Sequence, residues 1–262
     1  MAKHSIEGAD ANVGNLLDLD GLTAASSGHD VICHIGAIGD VYLAGEDPRL
    51  AASVNVVGTS NIAEAARLNG AKVVYASTWE VYGMAHADEI DEEHPCEPDH
   101  PYSITKLAGE RMLLAADHLQ DVPVVALRLG TAYGPGLRRN SVFRLFIDKA
   151  RAGEPITIQG DGNQYRQFTH SSDIARAFAL ACRSDIRGRV FNTVAKDPVS
   201  IKQLAELVVE RFPTDIVYAP ARAGDVHPAM VSSERARTEL GWTAEMSFEE
   251  GVGGLMDEAA AD

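Results

Sequence analysis

Apolar positions along the chain fall into two patterns. Short unbroken runs bounded by turn residues alternate with longer stretches in which apolar residues return every three or four positions. Val31-Ile32-Cys33-His34-Ile35, Lys72 to Ser77 and Pro123 to Leu129 are the unbroken runs, and they predict strands buried on both faces of a parallel sheet. Ala11-Asn12-Val13 reads as a further short strand. The helical spacing predicts helices from Asp18 to Ala25, ending near Gly28, from about Pro48 to Asn69 with Gly70 as C-cap, and from Tyr102 to about Leu119. Strands alternating with helices predict an α/β fold with a parallel sheet covered on both faces.

The texture changes after Tyr133-Gly134-Pro135-Gly136. Helices are expected from Ser141 to Ala152, Ser172 to Cys182 (with a Ser or Asp cap), Ser200 to Phe212 (capped by Ser200) and Ser232 to Leu240. Strands are expected at Ile156 to Gln159, Arg189 to Val194 and Asp215 to Tyr218. The looser rhythm suits a smaller domain packed over the ends of the sheet, and no repeat, low-complexity tract or flexible linker interrupts it.

Composition narrows the range of functions. The 262 residues suffice for one or two domains. No apolar run approaches the roughly 20 residues that span a bilayer, and the N-terminus lacks a signal-peptide pattern. A net charge of -15 speaks against nucleic acid or an anionic membrane as partner. A phosphate-bearing ligand would therefore need local arginines or helix N-termini. Cys33, Cys96 and Cys182 are scattered without metal-ligand spacing and read as free thiols in a reducing cytoplasm, so no metal is expected.

Tyr102 and Lys106 carry the chemistry. Four apart on a helix, they share one face, one turn from each other. A phenol ionises near pH ~10, and an ammonium fixed beside it favours the phenolate. Such a tyrosine can take a proton from a sugar or alcohol hydroxyl as hydride leaves the carbon.

Several motifs accompany this pair in order: His34-Ile35-Gly36-Ala37, Asn55-Val56-Val57-Gly58-Thr59, Ser77-Thr78-Trp79-Glu80-Val81-Tyr82-Gly83, Leu127 to Pro135, Arg166-Gln167-Phe168-Thr169-His170 and Arg222-Ala223-Gly224-Asp225. Together they resemble the extended short-chain dehydrogenase/reductase family, in its NAD-dependent nucleotide-sugar epimerase/dehydratase branch. The resemblance implies a Rossmann-like doubly wound sheet with a smaller α/β substrate region. Residues 1–135, with 167–195 returning, would bind NAD; 136–166 and 196–262 would bind substrate. It implies Tyr102 as acid/base, Lys106 on the nicotinamide ribose, and Thr78 on the reacting hydroxyl, with Glu80 beside them. Asn15, Leu16, Ile35, Gly36, Ala37 and Asn55 would lie on the cofactor side. Arg166, Arg222, Asp225, Thr131 and Ser141 would lie on the nucleotide-sugar side. Thr131 stands where many members have Asn, and Asn15 where Asp is usual. Dehydratases of the family carry Asp-Glu after the Thr; here Trp79 replaces the Asp. The helices around Asn55–Asn69 and Tyr102–Leu119 would pair into a homodimer.

One family feature is missing from the sequence: the Gly-x-x-Gly-x-x-Gly turn that cradles pyrophosphate. The acidic residue that would bond the adenosine ribose is missing too. Gly36-Ala37-Ile38-Gly39 follows a strand, but the third glycine position is Tyr42. The expectation is an N-terminally truncated product, a misplaced start codon or a degenerate homologue, in which the Val31 strand becomes a sheet edge. The reading is an NAD-dependent nucleotide-sugar 4-epimerase of the UDP-glucose 4-epimerase type. Its alternatives are another dehydratase, decarboxylase or dehydrogenase of the family, or a non-catalytic homologue acting in binding or dimerisation.

Overall fold

Four short apolar stretches become four parallel strands side by side. The computed structural model describes residues 15–84, 87–137, 140–221 and 229–261; the expected Ala11–Val13 strand, Arg222 and Asp225 lie outside them. In chain order the strands are β1 (Val31–His34), β2 (Lys72–Thr78), β3 (Glu89–Ile90), β4 (Val124–Leu129), β5 (Thr131–Tyr133), β6 (Ile156–Gln159), β7 (Tyr165–Arg166), β8 (Phe168–His170), β9 (Arg189–Thr193), β10 (Val199–Ser200), β11 (Ile216–Ala219) and β12 (Met230–Val231). The main sheet has the order β1-β2-β4-β9, and β1 is an edge among the described residues. Val73 to Thr78 and Val124 to Arg128 are buried without interruption, as unbroken apolar runs require.

The period of two divides these strands between two cores. Val73, Tyr75, Val124 and Ala126 face Ile62 and Ala66 of α4 (Gly58–Asn69) and Leu113 and Ala116 of α5 (Pro101–Gln120). Val74, Ala76, Val125, Leu127 and Phe191 face Ala177, Phe178 and Ala181 of α7 (Ser171–Arg183), together with Trp242. The sheet is thus covered on both sides. A third core gathers Phe143 and Ile147 of α6 (Val142–Arg151), Leu204 and Val208 of α8 (Ile201–Arg211), Val252 and Met256 of α9 (Phe248–Ala261), and Ile156 and Ile158 of β6, which pairs with β11. Tyr133, Phe143, Phe168 and Phe248 stack at its mouth. The remaining short helices are α1 (Leu19–Ala25), α2 (Val41–Glu46) and α3 (Pro48–Ala52).

The stretch expected as one helix from Pro48 to Asn69 is helical throughout but not uniform. A π turn, Ser53–Val57, separates α3 from α4. It seats the buried Asn55, whose side chain accepts from the Ile38 amide (2.7 Å) and donates to the Ile38 carbonyl (3.2 Å) and Thr105 Oγ1 (3.0 Å). Gly70 closes α4 with φ 67°, as a left-handed C-cap does. Other expectations need correction. The cap of α7 is His170, whose ring nitrogen accepts from the Ser172 amide, not a Ser or Asp. The buried Asp173 instead accepts from the amides of Glu245 and Met246. The helix expected from Ser232 to Leu240 is present from Glu234, and its Ala236–Leu240 part is a π turn. No described helix is long and apolar enough to cross a membrane.

Candidate active site

The C-terminal end of β2 turns directly into the site. Thr78 is its last residue, buried, and its Oγ1 accepts from the Glu80 amide (3.2 Å), starting the 3-10 turn Trp79–Tyr82. Gly83 ends that turn at φ 64°, where an added Cβ would strike the backbone of Glu97. Beside it begins α5. His100 caps it by accepting from the Tyr102 amide (3.2 Å), and Pro101 fills the first turn, where a missing N–H costs nothing.

Tyr102, Lys106 and Glu110 follow at four-residue spacing, and burial deepens along them. Tyr102 is half-buried, Lys106 is 3% exposed and Glu110 fully enclosed. The Lys106 ammonium lies 4.2 Å from the centre of the Tyr75 ring and has no hydrogen-bond acceptor among the described residues. Desolvation pushes its pKa down to about 7, against the opposing pull of Glu110. The Tyr75 hydroxyl donates to the Lys106 carbonyl (3.2 Å), and burial, Glu110 and Tyr102 raise its pKa, so Tyr75 stays neutral.

Beneath this lies an ion pair that the sequence analysis did not single out. Arg128 forks onto Glu110 (2.7 and 3.1 Å), and Ser77 Oγ donates to the same carboxylate (2.6 Å). Arg128 also donates to the Tyr82 hydroxyl (2.7 Å), which donates to Asn192 Oδ1 (2.8 Å). One polar chain therefore ties β2, α5, β4, β9 and the 3-10 turn together. Ser77, Tyr82 and Arg128 stood in the motifs above, but for Glu110 the four-residue spacing from Lys106 was the only sequence signal.

The cofactor-side candidates gather at the end of β1. Ile35 is 61% exposed, and a Cβ on the exposed Gly36 would lie 3.4 Å from Leu16. Asn61 donates to the Leu16 carbonyl (2.9 Å), and Asn55 holds Ile38, just past Ala37. Asn15 uses its Oδ1 locally, on the Leu17 amide (3.0 Å). His34 sits below, its Nε2 2.8 Å from Thr59 Oγ1. Thr59 donates to the Asn55 carbonyl (2.7 Å), so His34 must donate from Nε2. Burial, helped by Lys106, pushes the His34 pKa down to about 3 and keeps the ring neutral.

On the opposite side Trp79, Arg166, Gln167, Val194 and Ala229 line a small cavity. Burial raises the Glu80 carboxyl; Arg166 opposes that shift and Asp99 adds to it, which places Glu80 in the field of Arg166. The Thr131 amide donates to the Gln167 carbonyl (3.2 Å), next to Arg166. Ser141 caps α6, its Oγ accepting from the Arg144 amide (3.3 Å).

A buried ammonium without an acceptor fits a ribose diol. The pyrophosphate finds less. The Gly36–Gly39 loop leads into α2, but the Asp40 carboxylate already accepts from the Tyr42 and Leu43 amides (2.9 and 3.1 Å) and puts negative charge there.

A parallel sheet with a Tyr–Lys helix packed across it defines an α/β enzyme of the dinucleotide-binding class. The chain belongs to the NAD dependent epimerase/dehydratase family, which it matches over residues 2–193. NAD is that family's cofactor, and its members here are nucleotide-sugar enzymes. The UDP-glucose 4-epimerase of Mycolicibacterium smegmatis is 33% identical over 242 residues, 90% of this chain and 77% of that one. The crystal structure of UDP-glucose 4-epimerase from Thermotoga maritima with UDP-glucose superposes with a TM-score of 0.89 at 25% identity, covering 98% and 87% of the two chains. MoeE5 in complex with UDP-glucuronic acid and NAD gives 0.85 at 32% identity, covering 93% and 84%.

Proposed function

We propose that this chain is an NAD-dependent nucleotide-sugar 4-epimerase of the UDP-glucose 4-epimerase type. The observation that carries the reading is Lys106: a buried, acceptorless ammonium one turn from Tyr102 and over the Tyr75 ring of β2. NAD, when bound, supplies the acceptor and later the donor of a hydride. Tyr102 takes the proton of the sugar hydroxyl and returns it. Lys106 holds the nicotinamide ribose and favours the Tyr102 phenolate, and Thr78 orients the hydroxyl. Asn15, Leu16, Ile35, Gly36, Ala37 and Asn55 form the cofactor side. Arg166, Arg222, Asp225, Thr131 and Ser141 hold the nucleotide diphosphate and sugar, with residues 136–166 and 196–262 as the substrate domain and 1–135 with 167–195 as the cofactor domain.

Trp79 separates this reading from dehydration. Water elimination needs an acid and a base after the threonine; Glu80 is one carboxyl, and an indole cannot protonate a leaving hydroxide. The protein acts in the cytoplasm as a homodimer. Ile104, Met112 and Leu119 line one exposed stripe of α5, and Val57 and Leu68 are exposed on the adjoining π turn and α4.

The test is product analysis with UDP-glucose and NAD. The expected product has unchanged mass, inverted configuration at C4 and leaves no net NADH; Tyr102→Phe loses about 100-fold or more in kcat. Wild-type turnover by Tyr102→Phe removes the assigned role, and loss of water moves the chain to the dehydratases. A second reading, a non-catalytic dimerisation partner, is favoured by one observation: Asp40 occupies the start of α2, the helix that the Gly36–Gly39 loop leads into. A dimer that turns over no sugar would support it.

A further inference from the structure

Cys33 and Cys182, 149 positions apart, meet in space. Their sulfurs lie 3.4 Å apart, Cys33 next to last in β1 and Cys182 in the last turn of α7. Both are half-buried against Val74, Ala177, Phe178 and Phe191. Two cations, Lys72 and Arg183, act on Cys182, with Asp185 in the field of Lys72. Lys72 Nζ donates to the carbonyls of Ala181 and Ser184, at 2.7 Å each, where α7 ends, and Arg183 follows Cys182. We propose that Cys33 and Cys182 form a reversible redox site, a dithiol that a low-molecular-weight disulfide such as glutathione disulfide converts to a Cys33–Cys182 disulfide.

The two sulfurs are not equivalent. Either sulfur can donate across the 3.4 Å contact; the contact with Cys33, Lys72 and Arg183 lower the Cys182 pKa, whereas Cys33 is raised by the same contact and by burial. Cys182 is therefore the attacking thiolate. It displaces one glutathione thiolate and becomes a mixed disulfide. Cys33 then gives up its proton, and its sulfur attacks Cys182 and displaces the second glutathione. Two cysteine thiols are oxidised by two electrons, one glutathione disulfide is reduced to two glutathiones, and the two thiol protons end on them. The bond fastens β1, the edge strand among the described residues, to α7, just before Ile35–Ala37. Cys96 belongs to a different core cluster and serves as internal control. The site stands independently of the sugar chemistry proposed above.

The experiment treats the full chain with excess glutathione disulfide, blocks residual thiols with N-ethylmaleimide and maps peptides by mass. The expected result is a linked Cys33–Cys182 peptide pair with Cys96 alkylated, reversed by dithiothreitol. In Cys33→Ser the reaction stops with one glutathione on Cys182; in Cys182→Ser oxidation of Cys33 slows at least ten-fold. Urea-unfolded chain, lacking the geometry, shows no preference for this pair. Folded protein recovered with both thiols unmodified, or with glutathione on each and no link, overturns the proposal.

Discussion

Lys106 gives up its hydration to lie over Tyr75, and that burial has a sign that can be measured. Its folded pKa, about 7, is below the 10.5 of an exposed lysine. The stability tied to this group is fully present only above 10.5 and is lost as pH falls toward about 7. At neutral pH its burial therefore costs stability. Lys106→Met is expected to stabilise the ligand-free protein by about 1–3 kcal/mol in urea melts while removing turnover; a loss of stability would contradict the account. His34 works at lower pH. Its folded pKa, about 3, lies below 6.5, so its contribution is present above 6.5 and lost as pH falls toward 3. His34→Gln is expected to flatten that acid limb, read as the urea midpoint against pH. The shared helix of Tyr102 and Lys106 was legible in the sequence because their relation is local. The Glu110–Arg128 pair was not, because it exists only once α5 lies across β4. The approach of Cys33 to Cys182 was hidden for the same reason.

Elements show where pattern suffices and where packing decides. The central strands β2 and β4 were readable because burial on both faces demands unbroken apolar runs, whereas the edge position among the described residues leaves Val31 to Cys33 of β1 half-buried. The two-residue ladder of β3 with β12 carries no such signature; long-range pairing alone makes it. α9 escaped notice because Gly251, Gly253 and Gly254 weaken its helical propensity, and only the third core holds it. The π turn at Ser53–Val57 was likewise hidden, since its purpose is to point Asn55 at Ile38 and Thr105. Close approach explains Gly109. A Cβ there would lie 2.8 Å from the Tyr75 hydroxyl and 2.9 Å from the Asn55 carbonyl oxygen. Backbone cannot yield cheaply, so Gly109→Ala is expected to cost about 1–3 kcal/mol by urea denaturation, despite alanine's better helix propensity. A stabilised variant would show that α5 and the π turn are not so tightly apposed.

At the scale of the molecule, an acidic chain surrounds a site whose positive charge is local: Lys106 within, Arg166 at the rim. The charge balance was legible from composition, whereas the meeting of Glu80, Trp79 and Arg166 required the third core to pack against the sheet. The exposed stripe on α5, with Leu119 75% exposed, is the surface proposed for the dimer. Ile104→Glu with Met112→Glu is expected to give a monomer in sedimentation velocity where the parent is a dimer; an unchanged parent state would move the interface elsewhere. The central claim is that residues ending β1 and β2, with Lys106, hold NAD. Calorimetric titration of the 262-residue chain, freed of any carried-through cofactor, tests it most directly. The account expects a micromolar or tighter Kd, about -8 kcal/mol or stronger, weakened at least ten-fold in Lys106→Met. A folded chain that does not bind NAD, or a variant that binds it as tightly as the parent, would contradict it.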